Sequence, residues 1–128
     1  MQDRATATEL LDAIERFLRT QSAAQQDRWL RFQLLVCANS LGIIGRELEQ
    51  EEGNVRREWT AMNGLLGEEL PPATFAESVT ALRARNGDLC DRIRAGEFDD
   101  PAREAQLLAF FAEETRARVA ITAPAELG

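Results

Sequence analysis

The chain has 128 residues, 45 % of them hydrophobic, and a formal net charge of −7. Such a chain can bury a real core as one domain and is too apolar to be disordered; its acidic balance argues against nucleic acid, which calls for a basic face. There is no His, no Tyr and no Lys, all fifteen basic residues being Arg, which excludes a His base, a His metal ligand, a Ser-His-Asp triad, Schiff-base chemistry and a phosphate-loop lysine within this chain.

Residues 1 to 5 read as a frayed end. Thr6 to Glu9 then forms a capping box, and Leu10, Leu11, Ile14, Phe17 and Leu18 follow at helical spacing, which predicts an amphipathic helix ending near Gln21. Ser22 to Gln26 is a short polar link, and Asp27 is the expected N-cap of a long central helix running to about Glu52. Within it, Leu30, Leu34, Cys37, Ala38, Leu41, Gly45 and Leu48 make one apolar stripe, while Trp29, Phe32, Val36 and Ile43 fall on the opposite side. A helix apolar on both sides is expected to be buried, by other helices or by a second copy of the chain. The run is too short and too interrupted by Arg28, Arg31 and Asn39 to span a membrane.

Gly53-Asn54 reads as a stop and restart, followed by a shorter helix carrying Val55, Trp59, Met62, Leu65 and Leu66 and closed by Gly67. Pro71-Pro72 marks a loop. Thr74 to Glu77 is a second capping box, opening a seam of Phe75, Val79, Leu82, Asn86, Leu89 and Ile93 that Gly96 ends. Asp100-Pro101 starts the last helix, with Leu107, Leu108, Phe111, Thr115 and Val119 facing inward and Phe110 at the flank; Ala123-Pro124 ends it. The sum is an all-α antiparallel bundle of about five helices around a long central helix, a single domain over residues 1–128.

Few residues can carry chemistry. The carboxylates from Glu47 to Glu52 lack the His that a di-iron bundle needs and read as a solvated face; catalytic residues, metal ligands and cofactors are expected to be none. Cys37 and Cys90 read as small core residues without a base to activate them, and Arg83, Arg85, Arg92 and Arg94 as surface arginines shielding the fourth helix. Asn39 and Asn86 lie in apolar stretches, and a buried Asn needs a partner: each other, the backbone, or a small pocket they would line together with Arg46. Asn39, Arg46 and Asn86 are therefore candidate ligand-binding residues, and Glu47 is added to them on the resemblance given next. The N-terminus shows no charged-then-apolar leader, which makes a cytoplasmic location the expectation.

Three stretches resemble a family of small bacterial helical proteins, a domain of unknown function: Thr8-Glu-Leu-Leu-Asp-Ala-Ile-Glu-Arg-Phe-Leu18, Arg31-Phe-Gln-Leu-Leu-Val-Cys-Ala-Asn-Ser-Leu41 with Gly45-Arg-Glu-Leu-Glu49, and Leu89-Cys-Asp-Arg-Ile-Arg-Ala-Gly96. The ending Val119-Ala-Ile-Thr-Ala-Pro124 is similar too. Asn39, Arg46, Glu47 and Cys90 fall on positions typical of that family, whereas Gln33 and Leu35 stand where a His and an Arg would be expected. Its members tend to be encoded beside a kinase of the aminoglycoside-phosphotransferase type and an acyl-CoA dehydrogenase. The resemblance implies an accessory role near acyl-CoA or small-molecule kinase metabolism, with such an enzyme as partner. Together with the excess apolar surface of the central helix, the expectation is a non-enzymatic interaction module that self-associates, most simply as a homodimer; the alternative is a ligand-binding protein or enzyme with a pocket near Asn39, Arg46 and Asn86.

Overall fold

The computed structural model describes residues 4–128, so the expectation of fraying over residues 1–5 falls largely outside them. The described residues form α1 (Ala7–Ala24), α2 (Arg28–Leu66), α3 (Phe75–Arg94), α4 (Pro101–Thr122) and a short 3-10 turn (Pro124–Leu127), with no strand. The fold is all-helical, as expected, but with four α-helices among these residues rather than five.

The missing boundary is Gly53-Asn54. Gly53 keeps a right-handed helical conformation and the helix runs through it. A mid-helix glycine costs about 1 kcal/mol relative to Ala, too little to outweigh the hydrogen bonds lost by breaking the helix there. Asn54 does not cap either; its Oδ1 accepts from Arg57 Nη1 at 2.9 Å, one turn along the same helix.

The other expected starts are all used. Thr6 Oγ1 accepts from the Glu9 N–H while Glu9 Oε2 accepts from the Thr6 N–H, and Thr74 and Glu77 repeat this reciprocal box. Asp27 Oδ1 accepts from the N–H groups of Trp29 and Leu30 at 2.9 and 3.1 Å, and Asp100 Oδ2 from that of Arg103 ahead of Pro101. Each satisfies donors that the first helical turn leaves unpaired. At the far ends, Gly67 (φ +110°) follows α2 and Gly96 (φ +84°) follows α3. Around Gly96 the Glu97 N–H reaches back to the Arg92 carbonyl and the Gly96 N–H to that of Ile93, a Schellman closure that needs a left-handed residue at the glycine.

The chain divides into two compact units, 1–50 and 51–128. The first holds α1 and the leading part of α2. Its two helices meet along half-buried Leu11, Leu18, Leu34 and Leu41, with Ser22, Ala38 and Gly42 buried. Ser22 Oγ donates to the Arg31 carbonyl at 3.1 Å, so the helices run antiparallel from the Gln25–Asp27 connection.

The second unit holds the remainder of α2 with α3 and α4. Met62, Leu65, Leu89, Phe98, Leu107 and Phe110 form its core, with Ala61, Leu66 and Ile93 against them. The inward face of α4 differs from the expected one: Phe110 is buried, while Leu108 and Phe111 are exposed. The loop residue Phe98 shares this core with Leu107 and Phe110, which stand three apart and so lie on one face of α4.

Candidate functional site

Polar side chains converge at three places. In the first unit, Arg19 donates through Nε and Nη2 to Glu15 Oε1 at 3.1 and 2.8 Å, and through Nη2 to Asn39 Oδ1 at 2.9 Å. Asn39 thus spends its carbonyl oxygen on an arginine of α1. Arg46 lies one to two turns further along α2. Both its Nη1 and Glu15 Oε1 come within 3.1 Å of the point where a Gly42 side chain would begin. Gly42 therefore serves as a floor: without a Cβ, it lets a carboxylate and a guanidinium reach across the helix pair. Glu15, Gly42, Gly45, Arg46 and Glu49 border a shallow polar cavity of about 210 Å³. Glu47 points outward on the next face of the helix.

Asn86 belongs to the second unit, and Asn39 and Arg46 to the first. The Asn86 Nδ2 donates to Glu58 Oε1 and to the Leu82 carbonyl, both at 3.0 Å. It borders a cavity of about 220 Å³ with Glu58, Phe111, Glu114 and Arg118. Alongside, Arg57 donates to Glu114 Oε1 at 3.1 Å, while its Nε is buried with no hydrogen-bond partner.

The third cluster escaped the sequence reading altogether. Arg85, expected as a surface arginine, is buried. Its guanidinium lies 4.6 Å from the centre of the Trp59 ring, donates from Nη1 to Asn63 Oδ1 at 2.7 Å and from Nη2 to the Gly67 carbonyl at 3.1 Å, and faces Glu69 at 3.6 Å. Trp59 Nε1 donates to the Glu69 carbonyl at 2.8 Å. Arg103 does the matching work from α4, donating to the Leu65 carbonyl at 2.8 Å with its guanidinium over the Phe98 ring. The last turn of α2 has no basic residue of its own. Two arginines from other helices satisfy carbonyls at its C-terminal end, where the helix dipole favours positive charge. The only signal in the sequence was their spacing: Arg85 stands three residues after Leu82 and four before Leu89, on the inner face of α3. Beside this clamp, the loop with Leu70, Pro71 and Pro72 closes over Trp59 and leaves a cavity of about 300 Å³.

The cysteines also correct an expectation. Cys37 and Cys90 are exposed, free thiols; Ala38 and Leu89, one position along each helix and roughly 100° round it, take the buried places instead. Among the described residues no three His, Cys, Asp or Glu side chains are grouped to hold a metal ion, and no helix is long and apolar enough to cross a membrane.

What the first unit does present is apolar surface. Ten of its large apolar residues, from Leu10 to Leu48, are between 38 and 66 % exposed, led by Trp29 and Phe17. Trp29 and Phe32 stack on each other with ring centres 5.9 Å apart. The long helix expected to be buried is, over this stretch, apolar on two sides and covered mainly along its seam with α1.

No curated protein and no solved structure matches the chain. A family model does match residues 24–125, spanning all of α2, α3 and α4. The chain belongs to the family described as a domain of unknown function (DUF6285).

Proposed function

We propose that this protein is a non-enzymatic interaction module that works in the cytoplasm as an accessory to another protein's chemistry. One observation carries the reading: the first unit leaves ten large apolar residues in contact with solvent while burying only small ones at its centre. Exposed apolar surface of that extent, on two sides of the hairpin, marks sites of association. The converging polar groups, in contrast, are engaged in holding helices together, Arg19 with Glu15 and Asn39, Arg85 with Asn63 and the Gly67 carbonyl. The resemblance to a bacterial family encoded beside kinase-like and acyl-CoA dehydrogenase genes supports an enzyme of one of those kinds as the client.

The test is a tagged pull-down from the native host, with mass spectrometry of what co-elutes. Stoichiometric recovery of a kinase-like or dehydrogenase-like enzyme, lost when Phe32→Glu places a charge on the exposed surface, supports an accessory role. Assay of that enzyme with and without the module would then define the effect. Recovery of the protein without either enzyme would overturn the reading.

A further inference from the structure

We infer that the exposed face shared by α1 and α2 is covered by the same face of a second copy of this chain, two hairpins closing into a four-helix bundle about a two-fold axis. The inference rests on the reading of the apolar surface as an interface and names its occupant.

The geometry follows from the helix seam. Along α1 the seam with α2 runs through Leu11, Glu15, Leu18 and Ser22; along α2 it runs through Leu34, Ala38, Leu41 and Gly45. At about 100° per residue, Leu10, Ile14 and Phe17 form a second stripe on α1, and Leu30, Ile44 and Leu48 one on α2. Each stripe lies to one side of the seam, by roughly 100° on α1 and roughly 60° on α2, in the direction of the same sign along its helix. Because the two helices are antiparallel, offsets of the same sign fall on the same side of the hairpin. The six residues therefore make one face two helices wide, and all are at least 40 % exposed. No charged residue falls in either stripe. The other apolar side, with Trp29, Phe32 and Val36, belongs to α2 alone and is one helix wide.

Size selects the occupant. A large apolar or aromatic residue offers roughly 150–250 Å² when fully exposed, so the exposed fractions of these six come to roughly 450–750 Å². A stable interface takes about 800 Å² from each partner, of which about 55–65 % is apolar, or roughly 450–500 Å². The face thus carries the apolar area that one protomer of a dimer needs. A flat face two helices wide is also self-complementary under a two-fold rotation, which returns each stripe to an equivalent stripe. Four antiparallel helices enclose a core that two cannot.

Cys37 lies in the α2 stripe between Leu30 and Ile44 and is a free thiol, so it reports on coverage without any change to the face. The experiment uses the full chain with Cys90→Ser. Sedimentation equilibrium is expected to give twice the 14.3 kDa chain mass. The Cys37 thiol should react with a thiol reagent at least tenfold more slowly than a free cysteine, and the protection should fall on dilution in step with the mass. Phe17→Glu with Ile44→Glu should give the single-chain mass, with helical circular dichroism retained and Cys37 reactive. Phe32→Glu, on the other side of α2, should leave the dimer intact. A monomer at the highest attainable concentration, or a Cys37 rate independent of concentration, overturns the inference. So does a dimer that survives the double substitution, or one lost with Phe32→Glu alone. A protein that is monomeric when pure yet brings down its enzyme would remove the second copy and leave the accessory role standing.

Discussion

Replacing Gly53 by Ala separates a continuous α2 from the two helices that Gly53-Asn54 suggests, because the two arrangements predict opposite signs. In the continuous helix Gly53 has a right-handed backbone, and a Cβ built there meets nothing within 4 Å. The substitution then adds no steric cost and recovers the helix propensity that glycine forfeits, about 0.8–1.0 kcal/mol. Were Gly53 instead the left-handed residue that ends a helix, Ala would lose about 1–2 kcal/mol. The difference between the two outcomes is about 2–3 kcal/mol, well outside the error of a urea titration. Trp59 is buried six residues further along α2 and supplies the fluorescence signal, in a Trp29→Phe background that removes the exposed indole. Gly53→Ala should raise the unfolding free energy by about 1 kcal/mol and the midpoint temperature by about 4 °C for a chain of this size. A loss of 1 kcal/mol or more would refute the unbroken helix, and with it the four-helix count.

Three further outcomes follow from the second unit and use the same titration. Arg85→Lys keeps the charge but cannot reproduce a planar guanidinium that stacks on Trp59 and donates to both Asn63 and the Gly67 carbonyl; it should cost about 2–3 kcal/mol and shift the Trp59 emission, and a change below about 0.5 kcal/mol would argue against the clamp. Gly67→Ala forces a side chain onto a residue at φ +110° and should destabilise by about 1–2 kcal/mol, the reverse of Gly53→Ala. Phe98→Ala empties a place in the core filled from a loop and should cost about 3–5 kcal/mol, whereas a change near zero would put Phe98 outside the core.

The features legible in the sequence are those decided within a few residues. Thr6, Asp27, Thr74 and Asp100 each cap a helix because a short polar side chain there can reach the first free N–H groups, whatever lies elsewhere in the chain. Gly67 and Gly96 end helices for an equally local reason. The burial of Trp59, Met62, Leu82 and Leu89 could be read from their 3.6-residue period. What escaped depends on groups distant in the chain. Arg85 is buried because Trp59, Asn63 and Gly67, eighteen or more residues away, present a ring and two oxygens to it. Phe98 lies in a connection with no periodicity to reveal it. Gly53-Asn54 carries a stop signal worth about 1 kcal/mol, which a continuing helix overrides. At the proposed ligand site, the sequence placed Asn39 in an apolar stretch but held no hint that Arg19, twenty residues earlier, would take its carboxamide oxygen.

The contrast between the two units explains why the central helix looked as if it must be buried. In the second unit α2 has neighbours on two sides, α3 and α4, and Met62, Leu65 and Trp59 are closed off. In the first unit the same helix has one neighbour, α1, and one neighbour can cover only one side of a cylinder. The helical wheel placed apolar residues on both sides and called for cover by other helices or by a second copy of the chain; within this unit only the side facing α1 is covered. Two helices meeting over Ser22, Ala38 and Gly42 bury little apolar area at their centre, and burial is the main return against the entropy of ordering some forty residues. Cover supplied from outside the chain enters by mass action, because a partner that binds only the folded hairpin stabilises it in proportion to the logarithm of its concentration. On the proposed reading, an apolar excess that would be a defect in an isolated hairpin would link the folding of the first unit to association, whereas the second unit has a closed core of its own.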